Sequence, residues 1–192
     1  MNKHAAIVRA EPQSKASFPA RFTSEEFIRM AATGAFDDMK LELADGELER
    51  MNPPMSDHSW HQSEIFGSLL PISRAAGLFA LAETGLRLSE STIRVCDVAL
   101  VRKRPDTNRL FGAADIVLAV EIAETSIARD LSIKRIEYAT AGIPHYWIVD
   151  GHRFVVHTFA KPIDGEYTHI RTVSFGEPLE VPATGGSTIT VG

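Results

Sequence analysis

Two acidic side chains occur inside apolar segments of the sequence, where an isolated charge is costly. Asp97 lies in the run from Arg94 to Val101, and Glu121 lies near the end of the run from Asp115 to Ile122. A buried carboxylate loses its hydration, so each acid requires a cation, water or a metal ion as its partner. If both acids face one site, their oxygens suit a hard cation such as Mg²⁺ or Mn²⁺, which binds one or two carboxylates and keeps several waters. The alternative is a structural role, in which each acid pairs with an arginine or caps a loop.

Lys134 is a third candidate for the same site. The sequence predicts a helix that Ser126 caps and Gly142 ends. The residues that share its apolar face, at about 100° per residue, are Ile127, Leu131, Lys134 and Tyr138. A lysine in an apolar stripe either extends to solvent or points at an acid. The competing interpretation is a surface ion pair with Asp130, one turn earlier, of little energetic value.

A central strand–helix–strand unit, from Asp115 to Asp150, must position these residues. Its first apolar run shows little alternation, as expected of a strand that is covered on both faces. A second apolar run, from Ile143 to Asp150, follows the helix at once. A unit of about 36 residues has the length of a crossover between two parallel strands.

Hairpins are predicted on both sides of this unit. Alternating apolar residues from Leu41 to Met51 surround the turn Asp45-Gly46, and alternating segments between Phe154 and Val173 surround Asp164-Gly165. An Asp-Gly pair between alternating segments is a strong hairpin signal. The tail from Glu180 is predicted to form a short strand at most.

The remaining predicted elements lie in the N-terminal half. Thr23 and Glu26 have capping-box spacing at the start of a helix that Gly34 ends. A second helix begins at Ser56 or Ser59 and runs to Gly77, and Pro71 can produce a kink in it. The elements that follow are a strand from Phe79 to Leu88, a strand from Arg94 to Val101 and a charged loop from Arg102 to Ala114.

Composition limits the classes of protein to which the chain can belong. The 192 residues are 44% hydrophobic and 23% charged, as in a globular domain. We expect residues 21–192 to form one domain behind a flexible arm, residues 1–20. No apolar run has the length that spans a bilayer, so no membrane partner is expected. The arm lacks the apolar core of a secretory signal, and the single cysteine, Cys96, suits a reducing cytoplasm.

The charge balance bears on nucleic acid as a partner. The net charge of −5 argues against a general affinity for nucleic acid, since phosphate contacts need lysine and arginine. Any such contact therefore requires a local basic groove or a second subunit.

A series of short motifs extends over most of the chain, from about Phe22 to Tyr167. The residues that carry it are Glu42 to Leu48, Met51 to Pro54, His58, Glu83 to Leu88, Cys96 to Val101, Glu121 to Ser126, Asp130, Lys134, Tyr138 and Gly142 to Asp150. Each motif alone is weak, but their order and spacing together are specific. With these motifs the chain resembles the Uma-type family (Uma-two), endonucleases of the restriction-endonuclease-like PD-(D/E)XK superfamily.

The resemblance implies an α/β (α+β) fold, a restriction-endonuclease-like mixed central sheet flanked by helices, with N-terminal and C-terminal hairpins. It implies Asp97 and Glu121 as ligands of Mg²⁺ or Mn²⁺. The superfamily's lysine, two residues after the glutamate, is replaced here by Ala123, and Lys134 resembles the lysine that some variants supply from the following helix. The family's Pro-Asp is Cys96-Asp97, which costs little because proline is not a ligand. Glu42 resembles an additional acid that some members supply from the N-terminal part.

These observations lead to one expected function and two alternatives. The expected function is that of a metal-dependent endonuclease that hydrolyses phosphodiester bonds in DNA, with Asp97, Glu121, Lys134 and Glu42 as site residues. The first alternative is a catalytically silent nuclease-fold module that binds DNA or protein. The second is hydrolysis of a small phosphate ester, because no element that reads bases is evident. The family resemblance and the exposed edge of a C-terminal hairpin also predict a homodimer.

Overall fold

One mixed β-sheet organises the computed structural model, which describes residues 19–123 and 127–192. Its strands are β1 (Leu41–Ala44), β2 (Glu47–Arg50), β3 (Phe79–Arg87), β4 (Ile93–Val101), β5 (Ile116–Ala123), β6 (His145–Asp150), β7 (Val155–Ile163) and β8 (Glu166–Ser174). They are arranged in the order β2-β1-β4-β5-β6-β7-β8, and β3 also pairs with β4. The mixed sheet with flanking helices is the predicted fold class.

The centre of the sheet is the crossover unit that the sequence predicts. β5 and β6 pair in parallel, whereas the other pairs of these strands are antiparallel. All eight residues of β5 are buried, so its continuous apolar run is covered on both faces. Beyond β8, β9 (Leu179–Glu180) and β10 (Thr188–Ile189) form a small antiparallel ribbon, which agrees with the short strand predicted for the tail.

Helices cover both faces of the sheet. They are α1 (Ser24–Ala32), α2 (Ser56–Ala75), α3 (Ile127–Arg129), a π-helical turn (Asp130–Lys134) and α4 (Arg135–Thr140), with a 3₁₀ turn at Ala113–Asp115. Ile65 and Leu69 of α2 pack on one face of the sheet, and Tyr138 and Ala139 of α4 pack on the other. Among the residues described, no helix is long and apolar enough to cross a membrane.

The predicted helix signals at the N-terminal side are largely confirmed. Thr23 and Glu26 form a reciprocal capping box at α1. α2 begins at Ser56, its N-cap is Met55 without a side-chain hydrogen bond, and it continues through Pro71. The predicted cap Ser126 lies outside the described residues, as does most of the predicted arm.

Both predicted hairpins are present, and their turns have the same geometry. Asp45 and Gly46 have φ of +46° and +82°, and Asp164 and Gly165 have φ of +50° and +80°. Two consecutive left-handed residues define a type I′ turn, whose twist matches that of antiparallel strands and for which Asp-Gly is favoured.

The sheet contains a fork beside β4. β3 pairs with β4 from Phe79–Val101 to Arg87–Ile93, with an interruption at Glu83 and Asp97. β1 and β5 therefore share the other edge of β4. β1 pairs there at Leu43–Ile93, and β5 pairs from Val98–Val120 onwards. Between these two pairings lie residues 94–97, where β4 has neither strand as a ladder partner. The candidate acids occupy this fork.

Candidate active site

Two carboxylates satisfy backbone donors that the fork leaves without a ladder partner. Asp97 Oδ2 accepts a hydrogen bond of 2.6 Å from the N–H of Ile122, and Glu42 Oε1 accepts one of 2.9 Å from the N–H of Val95. Buried backbone donors require such partners. The irregularity in the sheet therefore fixes both acids beside the same strand.

Of the acids at the fork, Asp97 has a side chain that reaches solvent. Its side chain is 18% exposed, and Oδ1 lies 3.1 Å from Nε2 of His58 on α2. Gln62, one turn further along α2, donates to the backbone carbonyl of Asp97 at 3.0 Å. Asp97 is thus oriented from two sides, by β5 and by α2. Apart from the presence of His58 in a family motif, no sequence pattern predicted this contact with α2.

Glu121, on β5, points towards α4 and is 4% exposed. Its Oε2 is 3.0 Å from Nζ of Lys134, and its Oε1 accepts a 2.7 Å hydrogen bond from the hydroxyl of Tyr138. Lys134 and Tyr138 therefore share the buried helix face that the sequence predicts. Asp97 and Glu121 lie on adjacent strands, each one residue beyond the Val98–Val120 pair.

Lys134 ends a π-helical turn that begins at Asp130. Single π turns within helices are rare and occur frequently at functional sites. Asp130 is 1% exposed, and its Oδ1 is 3.7 Å from Nζ of Lys134. The interpretation of this pair as a surface ion pair is therefore wrong: both residues are buried, and the same ammonium group faces Glu121.

Charge is concentrated around Glu121. Burial raises its pKa to about 8, against the opposing effect of the Lys134 ammonium, and the charges of Asp97, Asp130 and Glu42 raise it further. Burial alone would lower the pKa of Lys134, but Glu121, Glu42 and Asp130 outweigh burial and raise it. The lysine is therefore charged at neutral pH, and the surrounding carboxylates leave an excess of negative charge beside Glu121.

A buried arginine, Arg94, holds the N-terminal hairpin against the site and was not predicted from the sequence. Its guanidinium donates to Glu42 at 3.0 Å, to Glu49 at 2.7 Å and to both oxygens of Glu137 at 2.7 Å. Arg129 also contacts Glu49. Burial opposes the charge of Arg94, but the bonds to Glu137 and the charge of Glu42 raise its pKa. The only sequence feature that could have indicated this buried network is an arginine at the start of an apolar strand.

The donor set at the fork fits a hard divalent cation. Across residues 19–123 and 127–192, no three His, Cys, Asp or Glu side chains form a ready-made metal cage. Mg²⁺ seldom requires one, because it keeps several waters and takes one or two carboxylates together with substrate oxygens. Asp97 and Glu121 would supply these carboxylates. Burial is the main cause of the raised pKa of Glu121, and the charges of Asp97, Asp130 and Glu42, which raise it further, create a negative potential that a cation would relieve.

The fold and the acidic fork define a nuclease-like protein of the restriction-endonuclease-like class. A family model described as "Uma2: Putative restriction endonuclease" matches residues 24–192, and the chain belongs to this family. The sequence-based assignment of the family is thereby confirmed.

A solved structure has a similar fold. It is the crystal structure of a putative nuclease belonging to DUF820 from Anabaena variabilis ATCC 29413, with a TM-score of 0.71 and 16% sequence identity. The similarity covers 88% of this chain and 94% of the other. At this identity the comparison supports the fold alone. A search of curated proteins finds no match.

Proposed function

We propose that this protein is a metal-dependent endonuclease that hydrolyses phosphodiester bonds in DNA. The observation that carries the proposal is the buried contact between Nζ of Lys134 and Oε2 of Glu121, 3.0 Å apart. Glu121 lies on the strand next to that of Asp97. Burying Lys134, Glu121 and Asp130 together is costly for stability alone, whereas functional sites require such arrangements. Membership of a restriction endonuclease family supports the choice of reaction.

In this proposal Asp97 and Glu121 hold Mg²⁺ or Mn²⁺. A divalent ion bound there would neutralise charge on the phosphate and lower the pKa of a bound water. The N–H of Ile122 and the ring of His58 orient Asp97, and the hydroxyl of Tyr138 orients Glu121. These contacts fix the carboxylates before substrate binds, which limits the reorganisation required during reaction.

Lys134 supplies a fixed positive charge in this site. Its ammonium group can orient the attacking water or stabilise the charge that develops on the phosphate. Glu42 is assigned a supporting role: its charge favours the ammonium form of Lys134, and its own oxygens contact Val95 and Arg94. We therefore place Glu42 behind the reacting groups rather than among the metal ligands.

One observation favours the alternative of a silent binding module. Both oxygens of Glu121 already have partners, Lys134 and Tyr138, and a pKa of about 8 keeps this carboxyl largely protonated at neutral pH. A metal ion must displace that proton before Glu121 can act as a ligand. Metal affinity at defined pH therefore separates the two candidates.

The decisive experiment combines calorimetry with a cleavage assay. Mn²⁺ is titrated into wild type, Glu121→Gln, Asp97→Asn and the exposed control Glu177→Gln, each at pH 6.5 and 8.5, and the same proteins are incubated with plasmid and single-stranded DNA. We expect the wild type and the control to bind Mn²⁺ more tightly at pH 8.5 and to cleave DNA, and the two site variants to lose both properties. If wild type binds Mn²⁺ at neither pH, the metal site is refuted. If wild type binds Mn²⁺ but cleaves neither DNA, the nuclease function is refuted.

A further inference from the structure

A groove lies between the outer edge of β3 and the loop that follows β4. The loop leaves β4 after Val101 and returns beside β3, where Phe111 bonds to the backbone of Gly85 at 3.0 Å and of Arg87 at 2.8 Å. The space enclosed between loop and strand has a volume of about 800 Å³. This volume is within the range of ligand sites in proteins.

The return of the loop is anchored, so the groove is formed in the absence of a ligand. Arg109 donates to both oxygens of Asp115, at 2.8 and 3.1 Å. Asp115 also accepts the N–H of Gly112 at 2.9 Å. The return segment packs so closely that a Cβ added at Gly85 would lie 2.6 Å from Cδ2 of Leu110. A preformed groove avoids the entropic cost of ordering a loop when a ligand binds.

The floor of the groove is apolar and includes an accessible aromatic ring. Phe79, Leu81 and Phe111 line it, and Phe79 is 48% exposed. An exposed phenylalanine beside a polar rim provides a flat surface for an unpaired base, and such stacking tolerates any base because every base has a π-face.

The rim of the groove is cationic, although the protein as a whole is acidic. Residues 102–109 include four cationic side chains and one acidic side chain, Asp106, whereas the whole chain has a net charge of −5. Arg102, Lys103 and Arg104 are exposed, and Arg104 lines the groove itself. This concentration of positive charge is the local basic surface that an acidic protein requires to contact phosphate.

The groove opens on the same face of the sheet as Glu121. Leu81 pairs with Ala99, and Ala99 pairs with Ala119, two residues before Glu121 on β5. These residues pack on the α4 side of the sheet. Along β4, Val101 and Asp97 are four residues apart, roughly 13 Å. That distance corresponds to at most about four nucleotides, because the duplex spacing of about 3.4 Å per nucleotide is a lower limit for an extended single strand.

We propose that this groove binds single-stranded DNA, with an unpaired base stacked on Phe79 and backbone phosphates at Arg102, Lys103 and Arg104. Because DNA is taken as the partner, this assignment rests on the proposed function and extends it: the groove holds the strand a few nucleotides from the acidic fork. Duplex DNA has no free base face for Phe79, so the groove favours single strands over duplexes.

Fluorescence anisotropy with a labelled 15-residue oligothymidylate tests the groove. Measurements are made in EDTA over a range of salt concentrations, so that binding is recorded without cleavage. The groove triple variant is Arg102→Gln/Lys103→Gln/Arg104→Gln. It is compared with a control triple variant, Arg29→Gln/Lys161→Gln/Arg171→Gln, which removes an equal number of positive charges from exposed positions elsewhere. Phe79→Leu is compared with Phe154→Leu, since Phe154 is also exposed. Thermal melts verify that all variants fold.

We expect wild type to bind the single strand more tightly than a duplex of the same length. The groove triple variant should lose about tenfold or more in affinity, and the slope of log affinity against log salt should decrease in magnitude by about 2, at about 0.7 per lost phosphate contact. Phe79→Leu should lose about fivefold or more, with each control within about twofold of wild type. Equal affinities of the groove and control triples, or wild-type preference for the duplex, would overturn the groove assignment.

The same variants separate failure of the groove from failure of the proposed nuclease. Binding of the single strand that depends on the groove, without cleavage in Mn²⁺, supports the groove and overturns the nuclease. Cleavage of single strands at the wild-type rate by the groove triple variant overturns the groove and leaves the nuclease intact.

Discussion

Nζ of Lys134 lies 3.0 Å from Oε2 of Glu121, across the interface between the helical segment and the sheet. Both side chains are buried, and the π-helical turn at Asp130–Lys134 delivers the lysine to the strand. The position two residues after Glu121 is Ala123, which is fully buried. The helix therefore places a positive charge beside Glu121 that β5 itself does not carry.

Substitution of Lys134 by methionine should separate catalysis from folding. Methionine keeps the apolar stem, and without the ammonium Glu121 remains protonated and neutral, so the fold should survive. We expect cleavage of DNA in Mn²⁺ to fall about 100-fold or more, the usual effect of removing one stabilising donor from a reacting site. Plasmid nicking and thermal melts measure the two properties, and Lys161→Met, at an exposed position, is the control. Wild-type activity in Lys134→Met would remove this lysine from the mechanism.

The variant Asp130→Asn is not a neutral control for Lys134→Met. If Asp130 formed only a surface ion pair with Lys134, its replacement by asparagine would have little effect on cleavage. The structure buries Asp130 at 3.7 Å from the same ammonium group, so Asp130→Asn changes the charge balance of the site. We expect this variant to reduce cleavage as well, by less than Lys134→Met, because Glu121 remains paired with the lysine.

The stability of the protein should depend on pH through Glu121. Below about pH 4.5 this carboxyl is protonated in both the folded and the unfolded chain. As pH rises, the unfolded chain releases the proton first, while a folded pKa of about 8 keeps it bound. The contribution of Glu121 to the free energy of unfolding is therefore greatest at low pH, is lost between about pH 4.5 and 8, and is constant above that range.

Urea unfolding at pH 5, 6, 7 and 8 measures this contribution. Glu121→Gln retains a similar shape and cannot titrate, so the stability of wild type relative to this variant should decline across the four values by a few kcal/mol. Glu177→Gln is the exposed control and should give a curve parallel to that of wild type. Parallel curves for wild type and Glu121→Gln would mean that Glu121 has an ordinary pKa in the folded protein.

The elements that depend on nearby residues were predictable from the sequence. The capping box of Thr23 and Glu26, the Asp45-Gly46 turn and the parallel pairing of β5 with β6 each follow from local signals. The spacing of apolar residues at about 100° per residue also predicted that Lys134 lies on the buried face of its helix. These predictions succeeded because each depends on one continuous segment: a few residues for the cap and the turn, and about 36 residues for the crossover.

The parts that were missed depend on residues distant in sequence. Arg94 contacts Glu42, Glu49 and Glu137, which are 43 to 52 positions away. The π-helical turn depends on the fit of the helix against the sheet, because local propensity does not favour it. The fork itself results from two strands that share one edge of β4, and no single segment encodes that competition.

A homodimer remains a prediction, and the sheet indicates where it would form. β8 is the last strand in the order of the main sheet, and Ile163 and Ile170 beside that edge are 58% and 55% exposed. An exposed edge strand with apolar side chains is prone to pair with another chain. Light scattering over a range of concentrations should give twice the mass of the chain, and Ile170→Lys should shift it towards the monomer. A monomer at all concentrations would refute the dimer.

Replacement of Arg94 by methionine should destabilise the protein strongly, because Glu42 is completely buried. Removing one partner of a buried ion pair leaves an uncompensated charge and costs about 3–5 kcal/mol. The matched control is Arg21→Met, since the pair of Arg21 with Asp45 is largely exposed and should cost less than about 1 kcal/mol. Urea unfolding at pH 7 measures both variants.

The double variant Arg94→Met/Glu42→Gln identifies the source of that loss. A neutral amide at position 42 removes the unpaired buried charge and can still accept the hydrogen bond from the N–H of Val95. The double variant should therefore be more stable than Arg94→Met alone, with a coupling energy of about 1–3 kcal/mol between the two positions. Additive losses would show instead that Arg94 acts mainly through Glu49 and Glu137. These carboxylates are partly exposed, so their loss of a partner costs less than that of Glu42.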